Sequence, residues 1–172
     1  DPDAPLRHPQ IGIRTPVLHH DGRDLAAALQ TIFTIGDGAA LSRHLDRAFR
    51  GSQLEIEAVN GRFRTLMHMP QLGRPLDGRE LSDGTLRYLC LLAALLSPRP
   101  PPLLALNEPE TSLHPDLIEP LAELLASAAR FSQLWVTTHS EALARHLTRL
   151  TQATPIRLQM HNGETRVVSD ER

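Results

Sequence analysis

The sequence predicts an α/β fold with a partly parallel sheet, flanked by helices and carrying antiparallel hairpins. An apolar run at residues 103–106 and a second β-rich run at 133–138 enclose a helical segment, the pattern of a β-α-β unit. Such a unit has a right-handed crossover and parallel strands, and the continuous apolar runs are typical of buried strands. Both strands therefore end on one edge of the sheet, where open α/β folds place their ligands.

Two Asn-Gly pairs predict the hairpins. Residues 54–59 alternate apolar and polar side chains, and Asn60-Gly61 separates them from a second strand at 62–67. A similar arrangement surrounds Asn162-Gly163. Residues 11–18 indicate a short extended stretch. Residues 70–80 contain two prolines and two glycines and indicate a loop.

Helices are predicted between these segments. Apolar periodicity and breaker residues place them at about 24–35, 39–49, 85–96, 115–130 and 141–149. Pro115 suits the first turn of the fourth helix. Six leucines of the third and fourth helices recur at helical spacing and are the predicted core: Leu92, Leu95, Leu96, Leu121, Leu124 and Leu125.

Composition excludes several classes of protein. A chain of 172 residues that is 41% hydrophobic fits one domain, and its net charge of −2 gives no electrostatic signature of nucleic-acid or membrane binding. The single cysteine, Cys90, excludes a disulfide framework and is predicted to be a buried, inert thiol. No apolar stretch is long enough to span a bilayer. We therefore expect a cytoplasmic protein without a membrane segment.

The chain contains no lysine, since all 18 of its basic residues are arginine. A Walker A loop uses a lysine to contact the β- and γ-phosphates of a nucleotide, so this loop is absent. Schiff-base catalysis is excluded for the same reason. Because the chain begins at Asp1, we expect that an upstream segment has been removed.

Nine histidines raise the question of a metal site. No H-E-x-x-H or H-x₃-H pattern is present, and His19 and His20 would face opposite directions on a strand. We therefore predict no metal site in this chain alone. A Ser-His-Asp hydrolase is also unsupported, because no G-x-S-x-G turn is present.

Polar residues follow both strands of the predicted β-α-β unit. Asn107-Glu108 comes after the first strand, and His139-Ser140 comes after the second. A carboxylate and an imidazole on adjacent strand ends can contact the same water or phosphate. A third feature is the start of the long helix at Ser82, where backbone N–H groups and the helix dipole favour an anion.

Four motifs, in this order, resemble the C-terminal half of an ABC-type ATPase head of the SMC/RecF-like branch of AAA ATPases. They are similar to a signature loop at Leu81–Thr85, a Walker B strand at Leu103–Glu108, a D-loop at Glu110–Pro115 and a switch-histidine loop at Thr138–Ser140. The resemblance covers about residues 76–147. It implies a partial P-loop NTPase lobe at 76–172, preceded by a helical and hairpin segment of the same head at 1–75.

The resemblance implies a role for each matching residue. Glu108 would orient or deprotonate the attacking water, and His139 would hydrogen-bond the γ-phosphate. The signature loop would bind the γ-phosphate of a nucleotide held by a second subunit, and the D-loop would lie at the dimer interface. The residues concerned are Ser82, Asp83, Gly84 and Thr85 in the first loop, and Ser112, Leu113 and His114 in the second.

Each of these residues also has a plain structural interpretation. Glu108 could be a solvated carboxylate at the end of a strand. His139 or His114 could be a residue at the entry to a helix, and Ser82 could be a helix N-cap. Asn107 departs from the resemblance, because Walker B strands usually carry an acid there that helps to hold Mg²⁺. Glu108 could share that task, and weak hydrolysis is an open alternative.

The function that the resemblance implies is an ATP-binding and ATP-hydrolysing head, present here without its Walker A loop. ATP and Mg²⁺ would lie between two heads in a head-to-head homodimer, and the isolated chain would be inactive. Two alternatives remain open. One is a non-catalytic or split ABC-like binding module, and the other is a DNA-associated scaffold that acts with DNA or a partner protein.

Overall fold

The structure is a computed structural model that describes residues 3–12 and 14–168. Two short 3₁₀ turns, Pro5–Arg7 and Pro115–Leu117, accompany the regular elements. The helices are α1 (Leu25–Ile35), α2 (Gly38–Ala48), α3 (Asp83–Leu95), α4 (Ile118–Ala128) and α5 (Glu141–Thr151). The strands are β1 (Gln10–Ile11), β2 (Gln53–Val59), β3 (Arg62–His68), β4 (Leu76–Asp77), β5 (Leu103–Asn107), β6 (Gln133–Thr137), β7 (Arg157–His161) and β8 (Glu164–Val168).

The first sheet is antiparallel, with β3 in its centre. β3 pairs with β2 through the predicted hairpin, and with the two-residue strands β1 and β4. Asn60 and Gly61 have φ values of 51° and 72°. A type I′ turn requires a positive φ at both of these central positions. The sequence prediction was wrong for β4, which lies in the predicted loop.

The predicted extended stretch at 11–18 was also wrong. Among the described residues of that stretch, only Ile11 pairs in a sheet, as part of β1. Pro16 has no N–H to donate to a ladder, and the Thr15 N–H donates to the Thr31 hydroxyl of α1 at 3.0 Å. This segment is therefore fixed by a helix instead of a strand.

The parallel β-α-β unit is confirmed. β5 and β6 pair in register from Leu103↔Gln133 to Asn107↔Thr137. The predicted burial of these strands holds for one face only, because the described residues cover one face. The other face leaves Leu103 53% and Trp135 62% exposed. The covered face packs partly buried side chains against the core: Leu104, Leu106, Leu134 and Val136.

The core is built mainly from leucines of α1, α3 and α4. Five of the six predicted core leucines are buried, and the sixth, Leu96, is partly buried against the same cluster. Tyr88 of α3 is 0% exposed and meets the ring of Phe49 edge-on, with 5.5 Å between the ring centroids. The mixed parallel and antiparallel pairing, flanked by helices, confirms the predicted α/β class.

The C-terminal hairpin of β7 and β8 carries an apolar face that is open to solvent. Leu158 pairs with Val167, and both side chains are more than 60% exposed. Met160 and Ile156 continue this exposed face along the chain. Within residues 3–12 and 14–168, no helix is both long and apolar enough to cross a membrane.

Candidate functional site

The carboxyl ends of β5 and β6 lie side by side. Because the strands are parallel and in register, Asn107 stands opposite Thr137. The pairing extends one residue further, since the Glu108 N–H donates to the Thr137 carbonyl at 2.9 Å. Glu108 therefore follows the sheet directly, beside the residues that lead to His139. We call this edge, formed by residues 107–108 and 137–139, the rim.

Glu108 and His139 contact each other at the rim. His139 Nε2 lies 3.4 Å from Glu108 Oε1, and the His139 backbone N–H donates to Glu108 Oε2 at 3.2 Å. The Glu108 side chain is 24% exposed and the imidazole is 97% exposed. The prediction that these side chains meet at one edge is confirmed. The carboxylate is held by a backbone donor and is still reached by solvent, so a water molecule can hydrogen-bond to it.

Asn107 lies next to Glu108 and contributes an amide oxygen. Its Oδ1 accepts a hydrogen bond from the Thr137 hydroxyl at 2.7 Å. An amide oxygen has two lone pairs, so this bond leaves one for a further donor. Asn107 adds no negative charge, which leaves Glu108 as the anionic group of this pair.

Glu110 ties the loop after β5 to the loop after β6. Its Oε1 accepts a hydrogen bond from the Thr138 hydroxyl, and the same hydroxyl oxygen accepts from the Ser140 N–H at 2.9 Å. Ser140 caps α5 by accepting from the Leu143 N–H at 3.2 Å. Glu110 Oε2 is buried and has no partner among the described residues. Sequence reasoning did not identify this contact, because Glu110 and Thr138 are 28 positions apart.

The loop before α3 exposes Ser82 to solvent and uses it as an N-cap. Ser82 Oγ accepts from the Thr85 N–H at 3.1 Å and lies 2.9 Å from Thr85 Oγ1, while Thr85 itself is only 8% exposed. The N-cap interpretation therefore holds. It leaves anion binding possible, because a cap satisfies only one of the first-turn N–H groups of a helix.

Asp83, the acidic residue of this loop, is paired with Arg7. The Arg7 guanidinium donates to the Asp83 carboxylate and also to the Leu81 carbonyl at 2.7 Å. The Arg7 side chain is 9% exposed, so the cation is largely enclosed. The negative charge of Asp83, which would repel a phosphate, is therefore compensated. No local pattern could have identified Arg7, which is 76 positions away.

The predicted D-loop lies against the predicted signature loop. Gly84 approaches Ser112 so closely that a Cβ atom at Gly84 would lie 2.8 Å from the Ser112 carbonyl oxygen. Ser112 has a φ of 66°, and the His114 ring accepts from the Asp116 N–H at 3.3 Å through Nδ1. An open cleft of about 530 Å³ lies beside the two loops. Its lining includes Ser82, Gly84, Thr85, Ser112, Leu113 and His114.

The predicted site residues thus form two groups. Asn107, Glu108 and His139 lie at the rim, and the signature and D-loop residues line the cleft, with Asp83 beside it. Arg87 of α3 is one connection between the groups, because it donates to the backbone carbonyls of Glu108 and Pro109. Sequence analysis missed Arg87, since no periodicity marks an arginine that reaches another loop.

The prediction for His19 and His20 was wrong in its geometry. Neither lies on a strand, and their rings approach to 4.3 Å between centroids. With Asp21 they bring three possible ligand atoms within 4.8 Å of one another. His19 Nδ1 is however 2.8 Å from Asp21, and its Nε2 contacts the Arg23 guanidinium at 2.6 Å. A fixed cation at that nitrogen opposes a metal ion, and we assign none here.

Cys90 is partly buried and does not offer a nucleophile. Burial raises the pKa of its thiol to about 11, and the nearby Arg87 charge lowers the pKa by less. At neutral pH the thiol therefore stays protonated. This agrees with the inert thiol that the sequence predicted.

The rim fits one part of a Mg²⁺-nucleotide site. Oxygen atoms suit Mg²⁺, and the rim supplies the Glu108 carboxylate and the Asn107 amide oxygen, with the unpartnered Glu110 Oε2 nearby in sequence. The phosphate cradle does not fit, because the chain has no lysine for the β- and γ-phosphates. The rim residues thus offer oxygen ligands of the kind that Mg²⁺ prefers, and the chain offers no lysine for the phosphates.

The fold is similar to that of SMC ATPase heads. An SMC ATPase solved in a study of ATP-driven dimerization and DNA-stimulated activation aligns with a TM-score of 0.63 and 18% identity, over 86% of this chain and 89% of that one. The Smc head domain of Pyrococcus yayanosii, with a coiled coil and joint, aligns with a TM-score of 0.65 and 18% identity, over 82% of this chain and 27% of that one. The SMC head domain of Thermotoga maritima aligns with a TM-score of 0.57 and 19% identity, over 87% of this chain and 52% of that one.

The chain belongs to the family described as "AAA domain, putative AbiEii toxin, Type IV TA system", whose model matches residues 18–145. No curated protein sequence matches the chain. Fold and family together identify an AAA-type ATPase module, a class that uses a nucleotide and typically Mg²⁺.

Proposed function

We propose that this chain is the catalytic C-terminal lobe of an ATP-hydrolysing head of the SMC/RecF-like type. The observation that carries the proposal is the contact of Glu108 with His139 at the shared end of two parallel strands. Residues 76–172 would form the lobe that holds the motifs, and residues 1–75 would belong to the same head. The process that the ATPase drives is left open.

In this proposal Glu108 acts as the general base. Its carboxylate takes a proton from the water that attacks the γ-phosphate, while the His139 backbone N–H keeps the carboxylate oriented at 3.2 Å. The exposed His139 imidazole donates a hydrogen bond to a γ-phosphate oxygen and loses that partner after hydrolysis. Bound Mg²⁺ would neutralise charge that develops on the phosphates, with Asn107 and Glu108 as the oxygen donors on this chain.

The loop at the start of α3 would serve a nucleotide held by a second head. Ser82 is exposed, Gly84 lacks a side chain that would block a phosphate, and Arg7 compensates the charge of Asp83. The N-terminus of α3 adds a favourable dipole. These features support a head-to-head homodimer with Ser112, Leu113 and His114 at the interface, because they line the same cleft.

The isolated chain is expected not to bind ATP tightly. The P-loop supplies most of the phosphate contacts of such a site, and no lysine is present to contribute to one. Titration calorimetry with Mg²⁺-ATP should give no measurable heat of binding at ATP concentrations up to about 100 μM, which is within the ordinary range of KM values for enzymes. A head that also contains a P-loop segment is the control and should bind. Stoichiometric, micromolar binding to the 172 residues alone would contradict this arrangement.

A split or non-catalytic binding module is the second candidate. It is favoured by the open face of β5 and β6, where Leu103 at the start of β5 and Trp135 in the middle of β6 are exposed. Parallel sheets are usually covered on both faces, so we propose that this face receives the P-loop-bearing part of a head, either on the same polypeptide or on a partner. The two candidates differ in hydrolysis, which only the first requires.

Trp135→Asp should disrupt assembly with the P-loop segment while leaving the chain folded. A buried tryptophan is often a binding hot spot, and its loss costs about 2–4 kcal/mol, or roughly 30- to 1000-fold in affinity. Trp135 is the only tryptophan, so its fluorescence emission should also shift to the blue when the wild-type chain assembles. Val17→Asp is the matched control, since Val17 is 53% exposed and lies outside this sheet. Equal affinities for the two variants would exclude this face.

A further inference from the structure

Arg87 extends from α3 to the loop that follows β5. Its Nη2 donates to the Glu108 carbonyl oxygen at 2.8 Å, and its Nε lies 3.4 Å from the Pro109 carbonyl oxygen with donor geometry. The planar guanidinium thus contacts two successive carbonyls of the loop, an arrangement that its fixed set of N–H donors allows. The contact is partly buried, which protects it from competition by water.

The backbone conformation of Glu108 is one that needs stabilising contacts. Its φ is 46°, in the left-handed region that is unfavourable for a residue with a Cβ atom. The Glu108 N–H is fixed by the Thr137 carbonyl at 2.9 Å, and the Glu108 carbonyl accepts from the Thr111 N–H at 3.1 Å as well as from Arg87. Of these three partners, β6 and α3 supply two, so the strained residue is held from two neighbouring elements.

The same helix begins at the loop that we propose to face a phosphate. Gly84, in the first turn of α3, packs against the Ser112 carbonyl, and Arg87 contacts Glu108 from the next turn. The loop at residues 108–112 is therefore attached to α3 at both of its ends. The first two turns of α3 and the Glu108 loop are thus joined by direct contacts.

We propose that Arg87 is a positioning residue for Glu108, and that it couples the helix starting at Ser82 to the orientation of the carboxylate. This inference rests on the proposed function, in which Glu108 is the general base. Arg87 acts through the Glu108 backbone and does not contact the nucleotide. Its removal lets Glu108 leave the left-handed conformation, so the carboxylate no longer aligns with the His139 N–H.

The first test measures amide hydrogen exchange in the 172-residue chain by NMR. Arg87→Ala should speed exchange of the Thr111 and His139 amides by about tenfold or more, because both amides donate to Glu108. Amides in the middle of α4, such as that of Leu125, should be unchanged. Arg145→Ala is the matched control, since Arg145 is exposed on α5. Arg87→Lys should restore part of the protection of these two amides from exchange. If Arg87→Ala does not fold, Arg87→Lys is compared with the wild type instead and should show a smaller increase in exchange.

The second test uses a head that contains the P-loop. Arg87→Ala should lower kcat for ATP by about 10- to 100-fold, a part of what general-base catalysis supplies, with KM changed less than about twofold. Arg87→Lys should recover part of kcat. Unchanged exchange at Thr111 and His139 would overturn the inference, and so would a raised KM at constant kcat. If the wild-type head hydrolyses no ATP, the proposed function fails, and the exchange test alone then decides whether Arg87 holds Glu108.

Discussion

Glu108→Gln in a head that contains the P-loop is expected to lower ATP turnover by about 10²–10⁴-fold, the usual contribution of a general base. Glutamine keeps the size of the side chain and can still accept the His139 N–H that now donates to Oε2. It cannot take a proton from the attacking water. Nucleotide binding should therefore survive while hydrolysis stops, and an ATP-bound dimer should accumulate.

Light scattering after size exclusion, with and without Mg²⁺-ATP, measures this dimer directly. Glu164→Gln is the control, because Glu164 is an exposed carboxylate on β8 of the C-terminal hairpin, outside the predicted site residues. The control should hydrolyse ATP at the wild-type rate and should not accumulate as a dimer. Undiminished hydrolysis by Glu108→Gln, or a purely monomeric protein with ATP, would refute the role of Glu108 or the dimer respectively.

Gly84→Ala should be the most damaging conservative change in the cleft. The added Cβ atom would lie 2.8 Å from the Ser112 carbonyl oxygen, which belongs to the backbone and cannot rotate away. Either α3 or the D-loop must shift, and such overpacking costs about 1–3 kcal/mol. We expect a lower free energy of unfolding in urea and, in a head with its P-loop, loss of the ATP-dependent dimer.

Gly73→Ala is the matched control for this substitution. Among the described residues other than its two chain neighbours, none has an atom within 4 Å of the position that its Cβ would take, and Gly73 is exposed. Its free energy of unfolding should stay within about 0.5 kcal/mol of the wild type, as is usual for surface changes. Equal stability and equal dimer formation for the two variants would mean that the Gly84–Ser112 approach has no consequence.

Local patterns in the sequence were sufficient for much of the fold. The alternation before Asn60-Gly61 predicted the first hairpin, because type I′ turns need positive φ at both central positions, which the structure has. The two apolar runs predicted the parallel pair, and through it the meeting of Glu108 with His139, since parallel strands share one carboxyl edge. Helical spacing of leucines predicted the core of α3 and α4.

The errors arose where chain neighbours do not decide the outcome. β4 is two residues long and exists only because β3 offers an edge to it. The uncovered face of β5 and β6 could not be predicted from Leu103 or Trp135, because an apolar run indicates burial without indicating what covers it. His19 and His20 lie in a turn, so the alternation expected of a strand does not apply to them.

The sequence by itself determined which chemical groups this module contains: a carboxylate and an imidazole after neighbouring strands, a capped helix start with a glycine, and no lysine. Only the tertiary structure decided how those groups are held. Arg7, Arg87 and Glu110 contact loops that lie 76, 21 and 28 positions away along the chain, those that carry Asp83, Glu108 and Thr138 respectively. The physical reason is that backbone patterns arise from near neighbours, whereas a long polar side chain takes its partner from whichever element packing brings within its reach.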